Sequence, residues 1–398
     1  MDSDTIHPMP SPQSTHWLRV IVLWLCGVLA AMQFSKISFA FLALQAQYAI
    51  TPAQTGLLLS TVGMVGLVFG VTVGLFAPTI GYRRLLLAGL GLGAMLALLQ
   101  SLSTGYLLFW VTRVLEGASH LAVVVTAPTL IVANCAPRHR SVAMGLWSTF
   151  VGVAFAVTAA TGGWVMSHFQ LAGLLRLHAV GMALMFVTAL LLIPAGVETP
   201  AEKRWPPLAS LPRHHLTVYA QWATALPGAC FFFYTLMAIS LMTFVPQHGG
   251  PDGPWLAVVL PLVSILGSFS AGWTAQHLMK PALLVRLSFV GVGLAGLALW
   301  GCFWLGIGIG PAAIVLMYLA GLAGGSSYAL IPSLNEASAM QARANGALAQ
   351  LGNLGSTLGP PVFAGLIAAW GTAGLALPVV VFALLGAATA VSGIRRLP

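Results

Sequence analysis

Long apolar stretches dominate the sequence and limit what it can fold into. Short breaks rich in proline, glycine or charge separate stretches of about 20 residues or more, the length of a helix that spans a bilayer. Only 6% of the residues are Asp, Glu, Lys or Arg, against roughly a quarter in a soluble domain. Inside a bilayer only helices or a closed barrel satisfy the backbone, and barrel strands would be shorter and alternating. The chain is therefore predicted to be an all-α, polytopic membrane protein.

Twelve transmembrane helices are predicted, in two groups of six. The N-terminal half, 17–196, holds spans at 17–45, 54–77, 84–102, 105–132, 141–166 and 172–195. The C-terminal half, 216–398, holds spans at 216–245, 254–276, 283–304, 309–333, 345–369 and 373–394. Residues 1–16 are polar and rich in proline, which predicts a disordered cytoplasmic tail, and residues 197–215 are predicted to be a cytoplasmic linker.

The basic residues of the connections all fall on one side of the predicted bundle. They are Arg19, Arg83, Arg84, Arg138, Arg140, Lys203, Arg204, Arg213, Lys280, Arg286, Arg343, Arg395 and Arg396. The positive-inside rule makes that side cytoplasmic, so both termini are predicted to be cytoplasmic in a plasma membrane, the inner membrane of a bacterium. Topology thus accounts for the net charge of +9, and no nucleic-acid partner is predicted. Only Lys36, Arg113 and Arg176 do not fit this side.

Small residues recur at helical spacing in every third span. Span 2 carries Gly66, Gly70 and Gly74, and similar faces occur in span 5 (Gly152, Ala156, Ala160), span 8 (Ser264, Ser268, Gly272) and span 11 (Gly355, Gly359). Such faces allow helices to approach closely. This period suggests halves built from three-helix repeats, as in secondary transporters, and predicts that the halves move against each other at these faces.

Four segments of the N-terminal half resemble motifs of the major facilitator superfamily. They are "GLFAPTIGYRRL" (74–85), "RVLEG" (113–117), "PRHRSVAMGL" (137–146) and "GVAFAVTAATGG" (152–163). Pro78 and Thr79 replace the usual Asp and Arg of the first motif, and Thr158 and Ala159 replace the Gly-Pro pair of the antiporter motif. A looser similarity to the cyanate/nitroimidazole permease branch rests on "RVLEGASHLAVVVTAP" (113–128) and "AQLGNLGSTLGPP" (349–361). The resemblance implies the major facilitator fold and alternating access.

In that superfamily spans 1, 4, 7 and 10 line the central cavity, and the intramembrane charges here fall in spans 1 and 4. Lys36 and Arg113 lie at a similar depth, roughly 12–13 Å from the outer ends of their spans. Glu116, one turn deeper, is expected to neutralise only one of them, which predicts a cavity of net charge +1 and an anionic substrate. Two alternatives stay open: Arg113 and Glu116 form a static pair, or Lys36 snorkels outward.

Further polar residues are candidates for the same site. His120 lies on the Arg113 face and could relay protons, or it could be a hydrogen-bonded core histidine. Gln33, one turn from Lys36, could bind substrate or form a bond between helices. Tyr234, Tyr328 and Asn353 could orient a ligand from the C-terminal half. The predicted substrate-binding set is Lys36, Arg113, Gln33, Tyr234, Tyr328 and Asn353, with proton coupling by Glu116 and His120.

The preferred hypothesis is a monomeric secondary transporter that takes up a small anion together with protons. The alternative is a proton-antiport exporter of drugs or metabolites, which the apolar second half suits but the missing Gly-Pro pair of span 5 does not. An intramembrane enzyme or sensor is a third class, but the sequence has no HExxH, GxSxG or paired-aspartate motif. No Walker A motif is present, and the four scattered cysteines show no metal-binding spacing. No cofactor or metal is therefore predicted.

Overall fold

The computed structural model describes residues 14–195 and 211–395. This part of the chain contains α-helices and two short 3-10 helices, Pro137–His139 and Gly250–Asp252, but no strand. The helices of the N-terminal half are α1 (Trp17–Phe39), α2 (Phe41–Tyr48), α3 (Pro52–Ile80), α4 (Tyr82–Leu102), α5 (Tyr106–Ala133), α6 (Arg140–Ser148) and α7 (Phe150–Leu192). Those of the C-terminal half are α8 (Leu211–Ala220), α9 (Trp222–Gln247), α10 (Gly253–His277), α11 (Pro281–Leu305), α12 (Gly310–Leu334), α13 (Ser338–Trp370) and α14 (Thr372–Arg395).

Ten stretches of the described residues are long and apolar enough to cross a membrane. One of them, Pro137–Leu192, contains two crossings, because Gln170 takes a non-helical conformation (φ 59°, ψ −169°) inside α7. The 33-residue α13 is also long enough to span a bilayer, although polar residues such as Gln341 and Asn345 lower its hydropathy. The all-α fold with two six-helix halves is thereby confirmed.

Large apolar side chains cover much of the outer surface of this bundle. Leu191 and Trp304 are 76% and 78% exposed, and many further Leu, Val and Phe side chains point outward in the same way. An exposed apolar surface of this extent would be a liability in water but suits the hydrocarbon region of a membrane.

Two boundaries differ from the sequence predictions. Span 1 was predicted to run to residue 45, but α1 ends at Phe39 and α2 starts at Phe41 after a break at Ala40. Residues 197–210 of the predicted linker, 197–215, lie outside the described part, and its last five residues belong to α8. Residues 1–13 of the predicted tail also lie outside the described part. The Thr15 hydroxyl is 2.8 Å from His139 Nδ1 at the start of α6.

One end of the bundle is here named the basic end. It holds the start of α1, the end of α14 and the connections α3–α4, α5–α6, α10–α11 and α12–α13. Hydrogen bonds between the halves run from this end to about the middle of the helices. They join Tyr82 to Ser338, Ser141 to Gln276, Thr129 to Asn345, Ser148 to Ser268, and Leu67 to Gln350. The halves are therefore held together at the basic end.

Glycines allow the backbones of the two halves to touch there. A Cβ atom on Gly272 of α10 would lie 2.9 Å from the nitrogen of Gly145 in α6, and one on Gly74 of α3 would lie 2.8 Å from the Ala342 carbonyl oxygen of α13. The sequence predicted that Gly355 and Gly359 of span 11 lie where the two halves move against each other, and this was wrong. Gly355 and Gly359 pack against α9 of their own half, and it is Gly346 that meets α3.

Candidate functional site

A buried ion cluster lies inside the N-terminal half, centred on Glu116 of α5. Lys36 of α1 donates to Glu116 Oε1 at 2.6 Å, and Arg113 Nη1 donates to Glu116 Oε2. All three side chains are buried, with exposures of 2%, 0% and 0% for Lys36, Arg113 and Glu116. Within the described residues, Glu116 is the only acidic side chain in a membrane-spanning helix, because Asp252 and Glu336 lie in connections.

Two further polar residues complete the cluster, and neither was among the predicted site residues. Gln100 of α4 donates through Nε2 to Glu116 Oε2 at 2.7 Å and accepts through Oε1 from Lys36 Nζ at 3.1 Å. His178 of α7 places Nε2 4.0 Å from Glu116 Oε1. Arg113 Nε also donates to the Leu58 carbonyl of α3 at 3.1 Å. Five helices thus contribute to one network.

Each carboxylate oxygen of Glu116 pairs with a different cation, an arrangement that the sequence did not predict. The single negative charge of Glu116 still offsets only one of the two positive charges. The i, i+3 spacing of Arg113 and Glu116 explains one pair, and the approach of α1 explains the other. Lys36 does not snorkel outward, because its ammonium group is held in the cluster. The three charges still sum to +1 in a site where unpaired charge would be costly.

Helix α4, which carries Gln100, packs closely on α5. A Cβ atom on Gly89 would lie 2.9 Å from Ala122 Cβ and 3.0 Å from the Ser119 carbonyl oxygen, so a larger residue there would force the two helices apart. The Ser119 hydroxyl donates to the Gly89 carbonyl at 2.7 Å across the same contact.

Gln33 and His120 lie outside the hydrogen-bond network of the ion cluster. Gln33 Nε2 donates to Ser119 Oγ at 3.0 Å, which is the bond between helices that the sequence left as its alternative role. Its Oε1 atom is buried and has no partner in the described part of the chain. His120 Nδ1 lies 3.0 Å from the Ala30 carbonyl oxygen, and its ring meets Phe34 edge to face. His120 thus has the contacts of a core histidine.

The candidates of the C-terminal half form two separate groups. Tyr234 and Tyr328 both contact Phe231, with ring centroids 5.3 and 4.9 Å from its centroid. Asn353 donates to the Ala349 carbonyl at 2.7 Å and faces Gly63 and Gly66 of α3 in the other half. The aromatic group offers an apolar surface with hydroxyl groups, whereas Asn353 belongs to the contact between the halves.

Comparisons with known proteins are consistent with this architecture. The sequence model described as Major Facilitator Superfamily matches residues 23–360. The chain belongs to this superfamily. Membership in the major facilitator superfamily indicates a transporter, which agrees with the fold and with a buried polar site inside a membrane bundle.

Solved structures of other major facilitator proteins share the fold. One is the proton:xylose symporter XylE bound to 6-bromo-6-deoxy-D-glucose, with a TM-score of 0.77, 13% identity, and 96% of each chain covered. Another is the human organic anion transporter MFSD10 (TETRAN), with a TM-score of 0.73, 16% identity, and 93% of this chain and 98% of that chain covered. No curated protein matches the sequence. The resemblance to the cyanate/nitroimidazole branch stays a prediction.

Proposed function

We propose that this protein takes up a small organic or inorganic anion together with a proton by alternating access, as a monomer. The observation that carries the proposal is the bridging position of Glu116 between Lys36 and Arg113. Two cations share one anion in a site of net charge +1, so a second anion would be attracted to them. The activities of the two structural neighbours, proton:xylose symport in one and organic anion transport in the other, fit this proposal.

The coupling follows from an exchange of counter-ions. An arriving anion would take the donors of Arg113 and Lys36, and Glu116 would lose the cations that keep it ionised. A buried carboxylate without a counter-ion favours its neutral form, so Glu116 would then bind a proton. Release of the anion at the other side would return both cations to Glu116 and expel the proton. Arg113 Nη2, which has no partner among the described residues, is the donor available to the anion first.

The same proposal includes the orientation of the bundle in the membrane. The basic end is cytoplasmic by the positive-inside rule, and the hydrogen bonds between the halves close that end. The structure then corresponds to a state closed toward the cytoplasm, the state in which a symporter receives substrate from outside. Separation of the halves at the basic end would open the path inward.

Reporter fusions test this orientation. A fluorescent reporter that matures only in the cytoplasm should be active at the C-terminus, and a periplasmic phosphatase reporter should be inactive there. The same pair fused after Gly308, in the connection between α11 and α12 at the opposite end, should give the reverse pattern. A phosphatase that is active at the C-terminus would contradict the proposed orientation.

Proteoliposomes with an imposed pH difference test the function itself. The probes are formate, benzoate, cyanate and a nitrobenzoate, which cover small anions and nitro-aromatics. We expect accumulation of at least one probe on the alkaline side and alkalinisation of the acidic side. Accumulation in the opposite sense would favour the proton-antiport exporter, and no movement of any probe would leave the anion hypothesis without support.

Replacing Arg113 with lysine should weaken binding of a carboxylate probe although the charge is kept. Lysine carries its three N–H donors on a single nitrogen, so it cannot reach the Leu58 carbonyl, Glu116 and the anion from the three separate nitrogens that Arg113 provides. The loss of one charge-assisted hydrogen bond, about 1.5–3 kcal/mol, predicts roughly ten- to hundredfold weaker binding. The measurement is the half-saturating concentration in counterflow exchange. Arg176→Lys, at an exposed arginine, is the matched control and should bind like the wild type.

A further inference from the structure

His178 is a buried histidine whose hydrogen-bonding capacity is unused. It lies on the second arm of α7, beyond the break at Gln170, and is 6% exposed. Neither Nδ1 nor Nε2 has a hydrogen-bond partner within residues 14–195 and 211–395. A buried polar side chain normally finds a partner, and an orphaned one needs an explanation. Its Nε2 atom lies 4.0 Å from Glu116 Oε1.

Glu116 has one acceptor position left on this side. Its Oε2 atom accepts from Arg113 and Gln100, and its Oε1 atom accepts from Lys36. A carboxylate oxygen can accept two hydrogen bonds, so Oε1 retains one free lone pair. A hydrogen bond from Nε2 would need the two atoms to approach by about 1 Å, which small side-chain rotations can supply.

The Glu116 carboxylate has no exposed surface, so a proton has to reach it through a neighbouring group. Arg113 does not release a proton in proteins, and the amide of Gln100 does not titrate. Lys36 is already committed to Glu116 and Gln100 as a cation. An imidazole can accept a proton at one nitrogen and give one up at the other near neutral pH. Among the groups that face Glu116 from α1, α4, α5 and α7, His178 is the one with both nitrogens free.

We propose that His178 delivers the coupling proton to Glu116. When the cavity is open, Nδ1 binds a proton from water and Nε2 transfers its own proton to Glu116 Oε1. A flip of the neutral ring then turns the remaining N–H toward Glu116 and restores the starting arrangement. The step conserves protons and leaves His178 uncharged before and after the transfer. This inference rests on the proposed role of Glu116 as the proton carrier and adds the route by which the proton arrives.

Infrared spectroscopy after a jump to acidic pH tests the transfer, with saturating formate present to occupy the donors of Arg113 and Lys36 so that Glu116 can be protonated. The carboxylic-acid C=O band of Glu116, identified by its loss in Glu116→Gln, should appear about a hundredfold more slowly in His178→Gln, the lower end of the gain expected from a positioned proton donor. His178→Phe, which replaces the ring by an apolar one, should show the same delay. His168→Gln, at an exposed histidine near the opposite end, is the matched control and should keep the wild-type rate.

The outcomes separate the two proposals. An unchanged rate in both His178 variants, or no Glu116-dependent band in the wild type, would overturn the role of His178. A different pair of results would overturn the proposed function and leave the transfer intact. In that pair the band is slow in the His178 variants, but the Glu116→Gln variant still accumulates a probe. Size-exclusion profiles and thermal stability of each variant confirm that a slow band reports chemistry and not misfolding.

Discussion

Glu116→Gln is expected to abolish accumulation driven by a pH difference while exchange of substrate across the membrane continues. Glutamine keeps one acceptor oxygen for one of the two cations, whereas its amide nitrogen only donates, and the side chain cannot bind and release a proton in a transport cycle. The measurement compares pH-driven uptake with counterflow of the same probe in proteoliposomes. We expect uptake to stop at the external concentration, whereas counterflow persists.

This substitution also leaves two buried cations without their anion, and breaking a buried pair costs about 3–5 kcal/mol. A double variant, Lys36→Met with Glu116→Gln, returns the formal charge of the cluster to +1 and should recover much of that stability without recovering coupling. Glu116→Asp keeps the carboxylate and should retain partial coupling. If Glu116→Gln still concentrates a probe under an imposed pH difference, Glu116 is only a structural partner of the two cations.

A leucine at Gly272 is expected to slow transport strongly by opposing closure of the basic end. At this position α6 and α10 approach so closely that even a Cβ atom would overlap with the backbone of Gly145. Overpacking costs about 1–3 kcal/mol, and each 1.4 kcal/mol changes a population tenfold. Because the contact joins the two halves, the cost falls on the state closed at the basic end, and uptake should drop roughly tenfold or more.

Gly163→Leu is the matched control, since nothing lies within 4 Å of a Cβ atom at this position of α7. It should transport like the wild type. Cysteine accessibility at the basic end should rise in Gly272→Leu and stay constant in Gly163→Leu. Wild-type transport by Gly272→Leu would remove this contact from the mechanism.

Much of the fold follows from the sequence because the length of an apolar stretch is itself a structural constraint in a bilayer. Breaks that depend on a single backbone conformation do not follow in this way. Gln170 adopts a positive φ angle without being glycine or asparagine, and Ala40 ends α1 without proline or glycine nearby. Tertiary packing fixes both positions, and neither residue type signals it.

In the candidate site, too, some contacts follow from the sequence and others depend on how the helices pack. Arg113 and Glu116 could be paired from their spacing, because neighbours on one helix face are set by helix geometry alone. The partnership of Lys36 with Glu116 depends on how α1 is rotated against α5, which spacing does not contain. Gln100 and His178 were not predicted, because the spacing of the charged residues in spans 1 and 4 contains no information on spans 3 and 6. Their signal was a polar side chain in the apolar runs of spans 3 and 6.

The presence of a single acidic side chain within the described membrane-spanning helices has a bioenergetic consequence. A carrier that binds one proton for each monovalent anion moves no net charge, so the membrane potential neither drives nor opposes its cycle. Accumulation would then follow the pH difference alone, at tenfold per pH unit, since each unit is worth about 1.4 kcal/mol. A divalent anion would carry one uncompensated negative charge inward against about 2.3 kcal/mol per 100 mV. We therefore expect a respiring cell to concentrate monovalent substrates of this carrier and to exclude divalent ones.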